Sequence, residues 1–496
     1  MWKELKKLLK HSMIYGAGSL FAKAVGFLLI PFYTHHLRPS EYGTLELLDL
    51  SMSFISMLIN VWVTIPLVRF YNDYEDEEQR RRVVSTTMWI VAVIAASISC
   101  LALIFAKGIS TAVLKSPDFS YYVQVIAISF FLSCINSVAW NYIRAKQRSI
   151  LIVSVSFCAS IAMIVINILL VGFFKMGVLG ILYGSLFGNY VINGLLTVVT
   201  LREVGFSFDK HKMKIVAAFG APLVFANIGA FVLNFSDRFF LQRFSTISVV
   251  GTYALGYKFG YMLSFLVIQP FTMIWSARMY DIAKMQDARR LFSRFGAYLC
   301  LVLTTVAIGI SVVIKDVIGF MAAPDFRSAY RIVPIIALAY VFQGLGYHFQ
   351  TGMLIEKKSS YLGMAGAIAA VFNIAMNFLL IPRFKGMGAA WATALSFLLL
   401  AMLVYSFSQK MYPIPYKLSK FATPLGLGIV AYFISTLITL PTPALSIAVK
   451  LLLVPAFWAA LYLLGFFDED EIAKAKSLFN TLLARYRWGA AMSSGG

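Results

Sequence analysis

Apolar segments of twenty or more residues recur from one end of the 496-residue chain to the other, each long enough to cross the hydrocarbon of a bilayer. Inside lipid every backbone N–H and C=O must find its partner within the protein, which leaves helices or a closed barrel. Segments this long are helices. About fourteen are predicted, near residues 12–34, 42–71, 83–106, 120–143, 149–174, 176–201, 212–236, 247–274, 295–314, 331–354, 360–381, 387–408, 419–440 and 444–466. Only 13% of the residues are charged, against about a quarter in a soluble protein. The chain reads as an all-α integral membrane protein. Its links are too short to hold a folded catalytic domain.

The basic residues orient it. With the N-terminus cytoplasmic, 29 of the 43 Lys and Arg fall on the cytoplasmic side and 11 outside, a strong positive-inside bias. Both termini are then cytoplasmic, in a multi-pass protein. Met1 to His11 is basic, but the apolar run behind it exceeds signal length and has no small-residue cleavage site. The net charge of +21 does not mark a nucleic-acid binder, because its residues are scattered over short links rather than gathered on one face. Cys100, Cys134, Cys158 and Cys300 lie inside apolar segments without CxxC spacing and suit small apolar roles. No metal site is expected, and His35-His36 lacks a third ligand. A basic segment holding Lys474, Lys476, Arg485 and Arg487 suits the anionic cytoplasmic leaflet.

An internal repeat divides the chain. Asn167 through Lys175 to Gly177 matches Asn377 through Lys385 to Gly388, with Asn and Lys at one offset of about 210. At that offset Lys146-Gln147-Arg148-Ser149 falls on Glu356-Lys357-Lys358-Ser359. Gly43-Thr44-Leu45 falls on Gly251-Thr252-Tyr253 at a nearly equal offset. Spans 1–6 and 7–12 therefore read as two six-helix units. Six is even, so the units point the same way, related by an axis along the membrane normal. The expected division is an N-lobe over 1–205, a C-lobe over 206–410, and an added helix pair with a basic tail over 411–496. Two such lobes around a central cavity suit alternating access. Gly16, Gly18, Gly26, Gly220 with Pro222, Gly251, Gly256 and Gly260 serve either as flexing points or as sites of close helix packing.

Charge inside the membrane is costly and marks functional sites. Lys23 in span 1 and Lys258 in span 8 lie far from their helix ends, where each would draw an anionic group such as a pyrophosphate. The competing reading pairs each with an acid to fix helix positions. Glu46 and Asp49, about one turn apart on span 2, are the candidate gating or ion-coupling acids. Asp49 could pair with Lys23, while Glu46 equally suits a solvated interfacial place. Arg69 and Arg238 are candidate substrate contacts. For Arg69 a positive-inside anchor explains the residue equally well, and for Arg238 a local pair with Asp237 is favoured. Lys450 suits snorkelling. Asn141, Asn227, His348 and Gln350 either line the cavity or bond between helices.

Four stretches carry a family resemblance: Gly26-Phe27-Leu28-Leu29-Ile30-Pro31-Phe32-Tyr33-Thr34 running on through Leu37-Arg38-Pro39-Ser40-Glu41-Tyr42-Gly43; Ser236-Asp237-Arg238-Phe239-Phe240-Leu241; Gly251-Thr252-Tyr253 through Gly256-Tyr257-Lys258 to Gln269-Pro270-Phe271; and Asn377 through Pro382-Arg383-Phe384 to Gly388 and Thr393. Together they resemble the polysaccharide-transporter branch of the multidrug/oligosaccharidyl-lipid/polysaccharide exporters, the Wzx-type O-antigen flippases. The resemblance implies a fold of the MATE and lipid II flippase type and no cofactor. It implies a flippase of a bacterial inner membrane that moves undecaprenyl-pyrophosphate-linked oligosaccharide from the inner to the outer face of that cytoplasmic membrane. The expected partners are that lipid-linked substrate, membrane lipids and polysaccharide polymerase or assembly proteins, around a monomer. Protons, Na+ or the membrane potential are candidate energy sources. In such flippases cationic cavity residues sit on the first helices of each lobe, and Lys23 and Lys258 fit those positions. A lipid II or other glycolipid-precursor flippase shares the mechanism. A MATE-like drug/cation antiporter would carry acids where the deepest charges here are lysines. A membrane glycosyltransferase, polymerase or ligase would need a sizeable outer loop.

Overall fold

The computed structural model describes residues 26–469 and 471–473, and no strand occurs among them. The long helices include α1 (26–36), α2 (Pro39–Asp73), α3 (Glu77–Ile104), α4 (Pro117–Ala145), α5 (Ser149–Phe173), α6 (Gly177–Val204) and α7 (Lys210–Phe244), with a short helix Ala106–Leu114 after α3. Beyond them run α8 (Ile247–Ala283), α9 (Ala288–Met321), α10 (Val333–Ile355), α11 (359–384), α12 (386–411), α13 (Ser419–Leu437) and α14 (Pro443–Leu463). Ten continuous helical stretches among the described residues are long and apolar enough to cross a membrane, or eleven with the bent pair Pro324–Arg331 and Val333–Ile355. The stretch Ser359–Met411 counts once there, although Lys385, at φ 49°, breaks it into α11 and α12.

Caps in the links decide where helices start. Asp76 accepts from the N–H groups of Glu78 and Gln79 to begin α3, and Asp209 does the same for His211 and Lys212 at α7. The bond from the Lys212 N–H holds the Asp209 carboxyl below its ordinary value.

The offset seen in the sequence recurs in the backbone. Gln147 and Lys357, both left-handed at φ 57° and 55°, turn the α4–α5 and α10–α11 corners. Lys175 and Lys385, at 53° and 49°, turn the α5–α6 and α11–α12 corners. A lysine holds such a conformation only at a cost of about 1–2 kcal/mol, so packing on both sides must hold these turns. Asn167 of α5 donates to the Tyr33 hydroxyl of α1 at 2.7 Å, and Asn377 of α11 donates to Ser236 Oγ of α7 at 3.4 Å. Each asparagine ties the fifth helix of its unit to the first.

Both α2 and α8 carry a widened π-turn, at Asn60–Thr64 and Ser264–Ile268, each followed two residues later by a proline, Pro66 or Pro270. Proline has no N–H to give the carbonyl four residues back and its ring crowds that group; the wider turn relieves the crowding. At Pro66 the freed carbonyl belongs to Trp62, and Gly220 of α7 packs against it: a Cβ there would lie 1.7 Å from Trp62 O. Trp62 Nε1 also donates to Ala217 O at 3.0 Å.

The other end of α2 crosses α8 through a glycine pair. A Cβ on Gly43 would lie 2.1 Å from Ile247 O, and one on Gly251 would lie 1.9 Å from Pro39 O. These glycines are close-packing points, the second of the two readings the sequence allowed. We expect Gly251→Ala to destabilise the detergent-solubilised protein by about 1–3 kcal/mol. Gly309→Ala is the control, since nothing lies within 4 Å of a Cβ there and alanine favours helix. Equal thermal midpoints for the two variants would remove the crossing from the account.

The added pair corrects one expectation. Lys450 does not snorkel: it is buried on α14 and its Nζ lies 2.6 Å from Asp316 Oδ2 of α9. The acid supplies a partner inside the protein, so the long stem need not reach for the interface. The basic segment from Lys474 onward lies outside the described residues.

Candidate functional site

Where α2, α7 and α8 meet, four charged side chains form one chain of contacts. Lys258 Nζ donates to the Tyr42 hydroxyl at 2.8 Å and lies 3.8 Å from Glu46 Oε2. The other oxygen of Glu46 lies 3.7 Å from Arg238 Nε. Arg238 Nη1 donates to Asp237 Oδ1 at 2.7 Å and to the Asn234 carbonyl at 2.8 Å. The Tyr253 hydroxyl donates to Asp237 Oδ2, and Thr393 Oγ1 donates to the same oxygen at 3.3 Å. The Arg238 guanidinium lies over the Tyr257 ring at 3.7 Å, a cation–π contact strengthened by desolvation.

Local sequence explains the convergence. Tyr42 and Glu46 are four residues apart and so share one face of α2; Gly43 between them lets α8 approach close enough for Lys258 to reach both. Tyr253 and Tyr257 repeat the same spacing on α8 and clamp Arg238.

Exposure separates the two cations. Arg238 and Asp237 are each 2% exposed, Glu46 is 14% exposed, and Lys258 keeps 48% of its side-chain surface. The network is therefore closed at the arginine end and open at the lysine end. Asp49, a turn beyond Glu46, is exposed and has Glu46 and Lys258 as electrostatic neighbours.

Several site expectations change. Arg238, a candidate substrate contact for which the local pair with Asp237 is the favoured reading, is in that pair: a buried tie whose guanidinium faces Asp237, Glu46 and a backbone carbonyl, inside α7, which continues to Phe244. Glu46 is not an interfacial carboxylate but the hub joining both cations, because the Gly43–Gly251 crossing covers it. Arg69 is exposed, lies 3.7 Å from Asp73 and sits over the Phe219 ring at 4.4 Å, apart from the Lys258 network. His348 is fully buried; its Nε2 bonds the Phe292 carbonyl at 2.9 Å, the interhelical role. Asn141 bonds back to Ser137 O within its own helix, and Asn227 is half-buried on α7. Gln350 does line a cavity, one of about 450 Å³ between α7, α8 and α10. Lys23 lies outside the described residues.

The model of a family described as polysaccharide biosynthesis protein matches residues 8–275. That stretch is more than half of the chain and contains α2, α7 and the whole charged network except Thr393. The chain belongs to the polysaccharide biosynthesis protein family. Its curated relatives are distant. An uncharacterized membrane protein of Methanocaldococcus jannaschii is 21% identical over 391 residues, covering 74% of this chain and 73% of the relative. A protein of the Lsg locus of Haemophilus influenzae is 22% identical over 264 residues, covering 53% of this chain and 63% of the relative.

The fold of this family member is shared with solved transporters. The lipid II flippase MurJ in an inward closed conformation superposes with a TM-score of 0.71 at 13% identity, covering 91% of this chain and 99% of that one. A multidrug resistance MATE family transporter of the MOP superfamily, inward-facing, superposes at 0.60 and 14% identity, covering 78% and 94%. The multi-pass, all-helical architecture expected from the apolar segments is that fold. For this family member the sequence did not disclose Tyr42, Tyr253 and Thr393 as site residues. The i, i+4 spacing of Tyr42 and Glu46 beside a repeat glycine was the available signal.

Proposed function

We propose that this protein is a flippase that carries a polyprenyl-pyrophosphate-linked saccharide across the cytoplasmic membrane, with both termini cytoplasmic. The observation that carries the reading is Lys258, far from either end of α8, with 48% of its side-chain surface exposed and its ammonium held at the junction with α2 by Tyr42 and Glu46. A cation kept accessible at such depth suits recognition of an anionic headgroup. The family's link to polysaccharide biosynthesis supports a saccharide on that headgroup, and the transporter fold supports movement rather than chemistry.

In this reading 1–205 and 206–410 are the two rocking lobes. In the conformation described, α2 is held to α8 through Gly43 and Gly251 and to α7 through Trp62 and Gly220. Substrate passage requires these two crossings to open in turn. Lys258 holds the pyrophosphate, the saccharide occupies the hydrated space between the lobes, and the polyprenyl tail stays in lipid. Undecaprenyl pyrophosphate is the carrier that best fits a bacterial inner membrane. O-antigen or another surface repeat unit is its cargo.

Asp49 favours one addition. An exposed carboxylate near Lys258 suits coupling to a proton or Na+. The test is vesicle transport with two substrates in parallel: a fluorescent undecaprenyl-pyrophosphate-linked oligosaccharide, and a cationic dye under a proton or Na+ gradient. We expect the glycolipid to move and the dye to stay. Dye exchange without glycolipid movement would replace the flippase with a drug/cation antiporter.

A further inference from the structure

The cavity beside the charged network has a lining rich in neutral polar and aromatic side chains. Around its 450 Å³ stand the amides Asn234, Gln269, Gln343 and Gln350, the hydroxyls Ser264, Thr272 and Ser276, and the rings of Tyr261, Tyr347 and Trp275. No Asp, Glu, Lys or Arg is among the described residues that line it. The side-chain amides of Gln343 and Gln350 make no hydrogen bond to another described residue, whereas Trp275 Nε1 is already spent on Thr351 Oγ1 at 2.9 Å. Tyr261 and Tyr347 are 38% and 39% exposed, so their rings are available to a ligand.

Neutral amides and hydroxyls set among open aromatic faces match the chemistry of a sugar ring, which offers hydroxyl groups at its edge and C–H groups on its face. The π-turn of α8 at Ser264–Ile268 forms one wall, and such turns cluster at functional sites. Register links the cavity to the cation. Lys258 and Tyr261 are three residues apart on α8, on one face and about 4.5 Å apart along the axis.

We infer that this cavity is the saccharide subsite of the transporter, built for an uncharged sugar joined directly to the pyrophosphate that Lys258 reads. The inference rests on the flippase reading and adds to it a location and a charge class for the glycan. An acidic sugar finds no cation among the described lining residues, which favours neutral sugars over uronic acids.

The experiment measures binding of full-length protein in nanodiscs to short lipid probes by the quenching of tryptophan fluorescence. The probes are undecaprenyl pyrophosphate alone and the same lipid bearing glucose, galactose, N-acetylglucosamine or glucuronic acid. At least one neutral sugar is expected to tighten binding about tenfold over the bare lipid, as one or two added hydrogen bonds and a ring contact would. Glucuronic acid adds nothing. Gln350→Leu and Tyr261→Leu each bring the sugar-bearing lipid down towards the affinity of the bare one, while Lys258→Ala weakens every probe alike. Gln343→Leu serves where either variant fails to purify.

If the bare lipid binds and no neutral sugar adds affinity, or if glucuronic acid binds best, the subsite is wrong and the flippase reading stands. A sugar increment that survives all three cavity variants likewise overturns the subsite. If none of the lipids binds, both readings fall.

Discussion

Asp237→Ala is expected to cost roughly 3–5 kcal/mol of stability, the usual loss when one member of a buried ion pair is removed. Arg238 is 2% exposed and Asp237 Oδ1 is its closest carboxylate oxygen, at 2.7 Å. Glu46, 3.7 Å from Nε, is shared with Lys258 and cannot replace it. Arginine does not escape by losing its proton, so the charge stays buried and the helices around it must rearrange. The Tyr253 hydroxyl loses its acceptor at the same time, while Thr393 keeps the Ala389 carbonyl at 3.1 Å. Thermal unfolding of the purified protein in detergent checks this, with Asp237→Asn/Arg238→Met as partner variant. That double change removes both charges and keeps much of the volume, so it should recover most of the loss. An Asp237→Ala protein within about 1 kcal/mol of wild type would mean that the pair contributes little and that the network is not what holds α7 against α2 and α8.

The second large effect is on transport, not on folding. Lys258→Ala removes a side chain that is 48% exposed and whose ammonium lies 3.8 Å from its acid, so the loss of stability should stay below about 1 kcal/mol. Glu46 keeps Arg238 as a partner. Transport should nonetheless fall by roughly 10- to 100-fold, the value of a charge-assisted hydrogen bond to the substrate anion. Lys258→Arg keeps the charge but spreads it over a planar fork, and should keep a substantial part of the rate. The two predictions divide one network into a structural end and a working end.

How much of this could be read from the chain follows from the range of each signal. The helical membrane fold was plain because a bilayer requires twenty apolar residues in a row, a strictly local demand. The offset of about 210 was plain because helix corners need particular residues; Lys175 and Lys385 mark the same left-handed turn. Lys258 stood out because charge inside hydrocarbon is expensive wherever it falls. What the chain did not disclose was partnership. Glu46 read equally as a gating acid or as a solvated interfacial carboxylate, by its place near the start of a helix. Only the meeting of Gly43 with Gly251, 208 positions on, brings it under cover between two cations. For Arg238 the neighbouring Asp237 was legible, but nothing local tells that Tyr257, Glu46 and the Asn234 carbonyl also surround it. His348 and Lys450 went the same way: each finds its partner on a helix far off in sequence, Phe292 on α9 and Asp316 on α9. The π-turns before Pro66 and Pro270 were readable as prolines inside apolar runs, but their consequence, the freed Trp62 carbonyl packed by Gly220, needed the fold.

The measurement that tests the central claim most directly is the initial rate of translocation of an undecaprenyl-pyrophosphate-linked oligosaccharide in vesicles, for wild type, Lys258→Ala and Lys258→Arg at equal amounts of folded protein. The account expects a clear rate for wild type, a loss of at least about tenfold for the alanine variant, and partial activity for the arginine variant. A Lys258→Ala protein that moves the glycolipid at the wild-type rate would contradict it: the cation at the α2–α8 junction would then be a structural charge, and the pyrophosphate would have to be read elsewhere.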